Sequence, residues 1–262
     1  MAIKMYQVDA FTDALFKGNP AAVCVLKTAL DAPIMQQIAA ENNLAETAFI
    51  VPKDDDFSIR WFTPTVEVAL CGHATLAAAH VLFELENYQG NTIQFHSLKS
   101  GILKVEKEKT QMLSLYFPID ELVAIQPNDA LSEALGKRPL KTIKGKTDIM
   151  VVFDSEKEIK ALQPDFTKLG KIKARGIIAT APGQKVDFVS RFFGPQCGIN
   201  EDPVTGSAHT SLTPYWSVQL GKTKLTAHQI SPRGGVLQCE LQKEHVKISG
   251  KAVTFFSGEI HL

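Results

Sequence analysis

Glu46, His73, Asp202 and Ser207 are the side chains whose types and settings point to proton transfer. Glu46 follows a helix-like segment and opens the apolar run Thr47-Ala48-Phe49-Ile50-Val51, a setting that can turn a carboxylate into a crevice between elements. Burial there would raise its pKa and let it take up a proton and give it back. The competing role is an ordinary surface or salt-bridged carboxylate. His73 lies in Cys71-Gly72-His73-Ala74, where an imidazole could donate, accept or exchange a proton near neutral pH, or serve as a buried hydrogen-bonded residue. Asp202 could orient that imidazole or contact a substrate, and its alternative is to cap the Asp202-Pro203-Val204 turn. Ser207 could bind a substrate oxygen or cap its own helix.

The loops Cys71-Gly72-His73-Ala74 and Thr205-Gly206-Ser207-Ala208 each precede a segment that can form a helix. Helix N-termini offer free amides, and Gly72 and Gly206 allow a ligand to approach the backbone closely, which suits a small carboxylated metabolite better than a neutral polymer. Ser231-Pro232-Arg233-Gly234-Gly235 is a further candidate pocket wall, because Arg233 can bind a carboxylate, although a simple turn between strands has the same composition.

These two loops belong to a longer internal resemblance. Arg60-Trp61-Phe62-Thr63-Pro64 precedes Gly72 as Arg191-Phe192-Phe193-Gly194-Pro195 precedes Gly206, with the glycines 12 and 15 residues after their arginines. The repeat predicts two structurally similar halves. Arg60 and Arg191 are expected to pair with loop carboxylates and hold the entrances in place. Ala74 to Phe83 is apolar over nearly its whole circumference, and six of its residues are Ala or Leu, which predicts a helix enclosed by strands. In the second half Pro214 removes an amide donor, so a kink or short break is expected near Thr210 to Pro214, with Gly221 ending the segment.

A first helix is expected over Ala32 to Asn42, with Asp31 as its cap and Pro33 in its first turn. Strands are expected at Val8–Phe11, Ala21–Leu26, Thr47–Val51, Thr92–Phe95, Ile102–Glu106, Met112–Phe117, Asp148–Phe153, Gly176–Thr180, Val186–Arg191, Leu237–Leu241 and Val246–Ile248. Helical crossovers are too few for a doubly wound parallel fold, so a mainly antiparallel α+β protein is predicted, with a linker at Pro118 to Asn128.

Composition narrows the function classes. The chain has 262 residues, of which 45% are hydrophobic, enough for more than one core. Its 28 basic and 28 acidic residues give zero formal net charge, which argues against nucleic acid or an anionic membrane as partner. The Lys-rich stretches, including Lys168 to Lys173, read as solvated surface. No signal-like or membrane-spanning run is present, so a cytoplasmic protein is expected. Cysteines 24, 71, 197 and 239 lack CxxC spacing and are expected to be reduced, with no metal site implied by their order.

Together, Val8-Asp9-Ala10-Phe11-Thr12, Gly18-Asn19-Pro20-Ala21-Ala22-Val23, Asn43-Leu44-Ala45-Glu46-Thr47-Ala48-Phe49, Arg60 to His73 and Glu201-Asp202-Pro203-Val204-Thr205-Gly206-Ser207-Ala208-His209 closely resemble the phenazine-biosynthesis PhzF-like family, within the diaminopimelate epimerase-like superfamily. The resemblance implies two pseudo-symmetric α+β domains, 1–117 plus 253–262 and 118–252, each an antiparallel β-roll or barrel around a central helix, with the site in the cleft. It implies a homodimer and a cofactor-independent isomerase that moves a proton within a small carboxylated, unsaturated or cyclic metabolite. Glu46 would be the acid/base, supported by His73, Asp202 and Ser207, without metal or organic cofactor. Epimerase relatives use two cysteines. Here Cys71 stands at the first position and Thr205 at the second, so two-thiol racemisation is not expected and Cys71 is a weak candidate. The alternatives are a metabolite-binding or interaction protein with little turnover, and a proton-transfer-assisted lyase.

Overall fold

In a computed structural model of the chain, which describes residues 2–262, the backbone forms two compact units: Met1–Tyr116 with Ser249–Leu262, and Phe117–Ile248. The first unit contains β1 (Ala2–Ala10), β2 (Asn19–Val25), α1 (Ala32–Asn42), β3 (Glu46–Lys53), β4 (Asp56–Phe62), β5 (Glu67–Val68), α2 (Gly72–Glu84), β6 (Thr92–Ser97), β7 (Gly101–Lys107) and β8 (Leu113–Pro118). The second contains β9 (Val123–Ile125), α3 (Asp129–Leu135), β10 (Lys141–Lys144), β11 (Ile149–Val152), α4 (Glu156–Ala161), α5 (Phe166–Leu169), β12 (Ile177–Pro182), β13 (Phe188–Gly194), β14 (Ile199–Asp202), α6 (His209–Leu220), β15 (Lys224–Gln229), β16 (Gly235–Leu241) and β17 (His245–Gly250). The last strand, β18 (Ala252–His261), pairs antiparallel with β1.

The mainly antiparallel α+β class is as expected. β1 pairs antiparallel with β2, β3 with β4, β6 with β7, β12 with β13 and β15 with β16. Parallel pairs occur where a longer connection intervenes: β2 with β3 around α1, and β4 with β6 around α2.

The apolar character of α2 has the expected consequence. Every residue from His73 to Phe83 except His80 is buried, and the helix packs on β1, β2, β3 and β18. His80 sits against β18, its Nε2 2.9 Å from the Thr254 hydroxyl. Beyond this core, α1 buries one stripe, Met35, Ile38 and Ala39, against Cys24, Leu26, Phe49 and Phe62. The i, i+3, i+4 spacing of that stripe is what a one-sided helix requires. Asp31 occupies the cap position, but its backbone carbonyl rather than its side chain accepts the first helical amides.

The repeated Arg-aromatic-Phe strands serve equivalent purposes. The Arg60 guanidinium donates to both Glu67 oxygens at 2.7 and 2.9 Å and lies 5.1 Å over Phe62. The Arg191 guanidinium does the same with Glu201 at 2.7 and 2.8 Å, lies 4.9 Å over Phe193, and also donates to the carbonyls of Ile159 and Leu162. Both arginines therefore clamp the loop that follows their strand, as expected.

Two expectations are corrected. Pro118 to Asn128 is not a bare linker: it contains β9, which pairs antiparallel with β10. The helix α6 runs unbroken through Pro214, so of the kink or short break expected near Thr210 to Pro214 the break is absent. The reason lies in the same segment. Pro214 has no amide for the Thr210 carbonyl, and the Asp120 amide donates to that carbonyl instead, at 3.3 Å. The Asp120 side chain in turn accepts from Ser211 Oγ at 2.6 Å. The tertiary donor satisfies the group that proline orphans, and the helix continues to end at Gly221 in the left-handed conformation. Strands β5, β9, β10, β14 and β15 and helices α3, α4 and α5 were not anticipated; the strands are defined by their pairing partners, whereas the short helices begin at the side-chain caps Asn128, Ser155 and Asp165.

His209, the first residue of α6, is fully buried, stacked beside Phe188, and its Nδ1 donates to the Thr205 carbonyl at 2.9 Å. Burial pushes its pKa down to about 4, against the smaller opposing effect of the backbone carbonyls. An unfolded histidine titrates near 6.5, so both states are neutral above that pH and stability is complete there. As pH falls from about 6.5 to about 4 only the unfolded chain gains the proton, and stability declines by about 3 kcal/mol before levelling off. His209→Asn, whose amide can still donate to Thr205, should flatten this part of the curve. Denaturant unfolding of both proteins across that interval checks it, and parallel curves would assign the acid loss to other groups.

Candidate active site

Three turns of the first unit bring Asn19, Glu46, Cys71 and His73 together. Gly18 adopts φ +65°, and a Cβ there would collide with the Ala10 carbonyl, so glycine is required for the chain to turn from β1 into β2. Asn19, completely buried, follows as the first residue of β2. Asn43 ends α1 in the left-handed conformation, and three residues later Glu46 opens β3, paired in register with Ala21. Cys71 then caps α2 from an extended conformation, and its carbonyl accepts from the Thr75 amide and, at 2.6 Å, from the Thr75 hydroxyl. His73 is in the first turn of that helix.

The His73 imidazole is addressed from both sides. Its Nε2 lies 3.3 Å from Glu46 Oε2. Its Nδ1 lies 3.3 Å from the Asn19 amide nitrogen and 3.4 Å from Cys71 Sγ. An amide nitrogen can only donate, so Nδ1 is the acceptor and Nε2 of the neutral ring bears the hydrogen; Glu46 lies beside that nitrogen at contact distance, without the alignment of a hydrogen bond. The His73 side chain is 7% exposed and that of Glu46 19%, so the pair is sheltered while the carboxylate keeps access to solvent or a ligand. Chemically this is a carboxylate beside the N–H side of a neutral imidazole, which can stabilise its anion. The N-terminal amides of α2, which have no acceptor one turn back, lie in the same turn.

Carboxylate, imidazole and thiol lie within 4.8 Å of one another, and among the described residues metal-ligating types gather in a group of three only here. Such donors suit a divalent ion such as zinc. However, Glu46 faces one ring nitrogen and Cys71 the other, so one ion could collect all three only after the ring reoriented.

In the second unit, Asp202 is buried at the end of β14 and accepts from the Thr205 hydroxyl, so part of its carboxylate acts within its own turn. Gln229 braces that turn: it accepts from the Thr205 amide at 2.8 Å and donates to the Asp202 carbonyl at 2.8 Å. Ser231 donates to the Pro203 carbonyl at 2.7 Å and accepts from the Gly234 amide, which connects the Ser231–Gly235 segment to the same turn. Arg233 is half-buried in that segment. Gly206 and Ser207 lie in a single 3-10 turn, Gly206–Ala208, that leads into α6.

Ser207 Oγ accepts two N–H groups of Arg175, which also pairs with Asp148 and lies over the Phe192 ring. Sequence reasoning passed over Asn19, Asp148, Arg175 and Gln229. Asn19 stands within the Gly18–Val23 motif, which assigns it no role of its own. Arg175 directly follows a Lys-rich stretch, and neither Asp148 nor Gln229 carries a local signal, since each acts on a partner at least 24 residues away.

A family model described as phenazine biosynthesis-like protein matches residues 8–258. A Pseudomonas aeruginosa protein named as an uncharacterized isomerase is 50% identical over 262 residues, the whole of both chains. A crystal structure from Enterococcus faecalis, described as a phenazine biosynthesis protein of the PhzF family, superposes with a TM-score of 0.95 at 46% identity and full coverage of both chains. A Pseudomonas aeruginosa structure described as a predicted epimerase shares the fold, with a TM-score of 0.73 over 98% of this chain and 99% of its own at 20% identity. By these likenesses the chain is an enzyme of the isomerase type. With its motifs, its α+β architecture and the full-length match in agreement, the chain belongs to the PhzF-like, phenazine biosynthesis-like family.

Proposed function

We propose that this protein is a cytoplasmic, cofactor-independent isomerase that moves a proton within a small carboxylated metabolite, unsaturated or cyclic, with Glu46 as the proton carrier. The observation that carries this reading is the sheltered Glu46–His73 contact at 3.3 Å, on the side of the ring opposite the nitrogen that Asn19 addresses. Glu46 removes a proton from a carbon whose anion is stabilised by conjugation or by the substrate carboxyl group. It then returns the proton at another position. The His73 N–H holds the carboxylate in place, and helix-terminal amides stabilise charge developing on the substrate. Asp202 and Ser207 support the same reaction by holding the substrate, and Arg233 is a further contact for its carboxylate.

Incubating the protein with cell extract in deuterated water tests the reading. A metabolite of unchanged elemental composition, apart from acquired solvent deuterium, is expected with the wild type. Glu46→Gln should lower the rate by about a thousandfold, in the range for a positioned acid/base group. EDTA treatment should leave the rate unchanged, and loss of exchange on chelation would transfer the chemistry to a metal at Glu46, Cys71 and His73. A product of altered mass would favour a lyase, and binding without exchange a metabolite-binding protein.

His73→Ala should reduce exchange by about a hundredfold while circular dichroism and thermal unfolding stay close to wild type. Collapse of the native fold would make His73 a structural residue of the α2 terminus. A homodimer is part of the same proposal: light scattering should return twice the chain mass, and a monomer mass would remove it.

A further inference from the structure

The parallel starts of β11 and β12 set Asp148 beside Arg175. The Arg175 amide donates to the Thr147 carbonyl at 2.8 Å, and the Ile149 amide to the Gly176 carbonyl at 3.0 Å. Arg175 then projects between two surfaces. Gly176 leaves room for the Phe192 ring, which a Cβ at that position would strike, and the Arg175 guanidinium lies 5.4 Å over that ring. From the other side Asp148, only 4% exposed, takes Nε at 2.9 Å and Nη2 in a bidentate pair. A planar group stacked on one face and forked along one edge has little rotational freedom left.

What remains of the fork is aimed at Ser207. Both Nη1 and Nη2 lie 3.1 Å from Ser207 Oγ. A hydroxyl oxygen has two lone pairs and one hydrogen. With two cationic N–H groups converging on one side of the oxygen, the hydroxyl hydrogen has to point away from the guanidinium, and among the described residues it donates to no other group. Ser207 is half-buried in the turn leading into α6, where it would present that hydrogen to an incoming ligand. An unassisted serine hydroxyl rotates freely and can satisfy itself on a nearby carbonyl, as Thr210 does on the Ser207 carbonyl at 2.8 Å.

We infer that Arg175, locked by Asp148 and Phe192, is a positioning residue that turns the Ser207 hydroxyl into a fixed hydrogen-bond donor for an anionic oxygen of the substrate. The inference rests on the reading of Ser207 as a substrate-binding residue, but the Arg175–Ser207 contact can be tested apart from turnover.

In the deuterium-exchange reaction, Ser207→Ala and Arg175→Lys should each lower kcat/KM about tenfold. A lysine keeps the charge near Asp148 but cannot fork onto the hydroxyl. The double variant should fall no further than the weaker single variant, because one device has been removed twice. Multiplicative losses would overturn the inference and make Arg175 an independent ligand contact, and unchanged kcat/KM in Arg175→Lys with reduced thermal stability would make it purely structural. A second arm needs no substrate. In Ser207→Cys the introduced thiol should react with iodoacetamide, by peptide-resolved mass spectrometry, with a pKa at least one unit below the ordinary thiol value of about 8.5. That depression should vanish when Arg175→Gln and Asp148→Asn are added together, a pair that leaves no buried charge unmatched. An ordinary pKa in the presence of Arg175 would overturn the contact itself. If wild type exchanges no metabolite while the thiol behaves as expected, the isomerase reading fails and the Arg175 contact stands.

Discussion

A helix that is apolar around its whole circumference must be enclosed on all sides, and α2 imposes that requirement on the first unit. Its side chains from His73 to Phe83 are covered by β1, β2, β3 and β18, with His80 as the one partly exposed exception. The backbone of such a helix is satisfied internally except at its ends. Polar chemistry is therefore concentrated at the N-terminal turn, where Asn19 and Glu46 begin the strands packed against it and Cys71 and His73 begin the helix itself. Placing a carboxylate, an imidazole and helix amides in one sheltered turn follows from the burial of the helix behind them.

The second unit reaches a comparable arrangement by other means. Its central helix is less regular, contains a proline and depends on outside donors: the Asp120 amide for the Thr210 carbonyl, and Gln229 for the turn before the helix. The helix entrance there is braced by Arg175 and Asp148 on Ser207 and by the His209 imidazole on the Thr205 carbonyl. The arginine clamps are the closest point of likeness, since Arg60 with Glu67 and Arg191 with Glu201 have the same fork geometry and the same stacking on a phenylalanine two residues on. Charge-assisted forks of this kind gain geometric definition as well as energy, and they hold the loops that carry the functional turns.

The imidazole tautomer at His73 illustrates how a neighbour sets chemistry. Asn19 contributes an amide donor to Nδ1, and this leaves the opposite nitrogen, the one nearest Glu46, to bear the hydrogen. Similarly, Arg175 donates to Ser207 from one side and turns the hydroxyl hydrogen away from itself. In each case a neighbouring residue determines which hydrogen the proposed site residue offers.

Much of this could be read from the amino-acid order alone. The boundaries of α1, the buried character of α2, the α+β class, the repeated arginine clamps and the neighbourhood of Glu46 all depend on local periodicity, turn residues and motif spacing, which are properties of short segments. The resemblance of whole motifs supplied the family. Tertiary structure decided what depends on a distant partner. Whether Pro214 breaks its helix was settled by a donor 90 residues earlier, between Asp120 and Thr210. Whether Cys71, His73 and Glu46 form a cluster was settled by the packing of α2 on β2 and β3. Arg175 was indistinguishable from its lysine-rich surroundings until Asp148 and Ser207 were found at its fork. Hydrogen-bond partners far apart in sequence leave no local periodic trace, because what fixes them is the fold that brings their elements side by side.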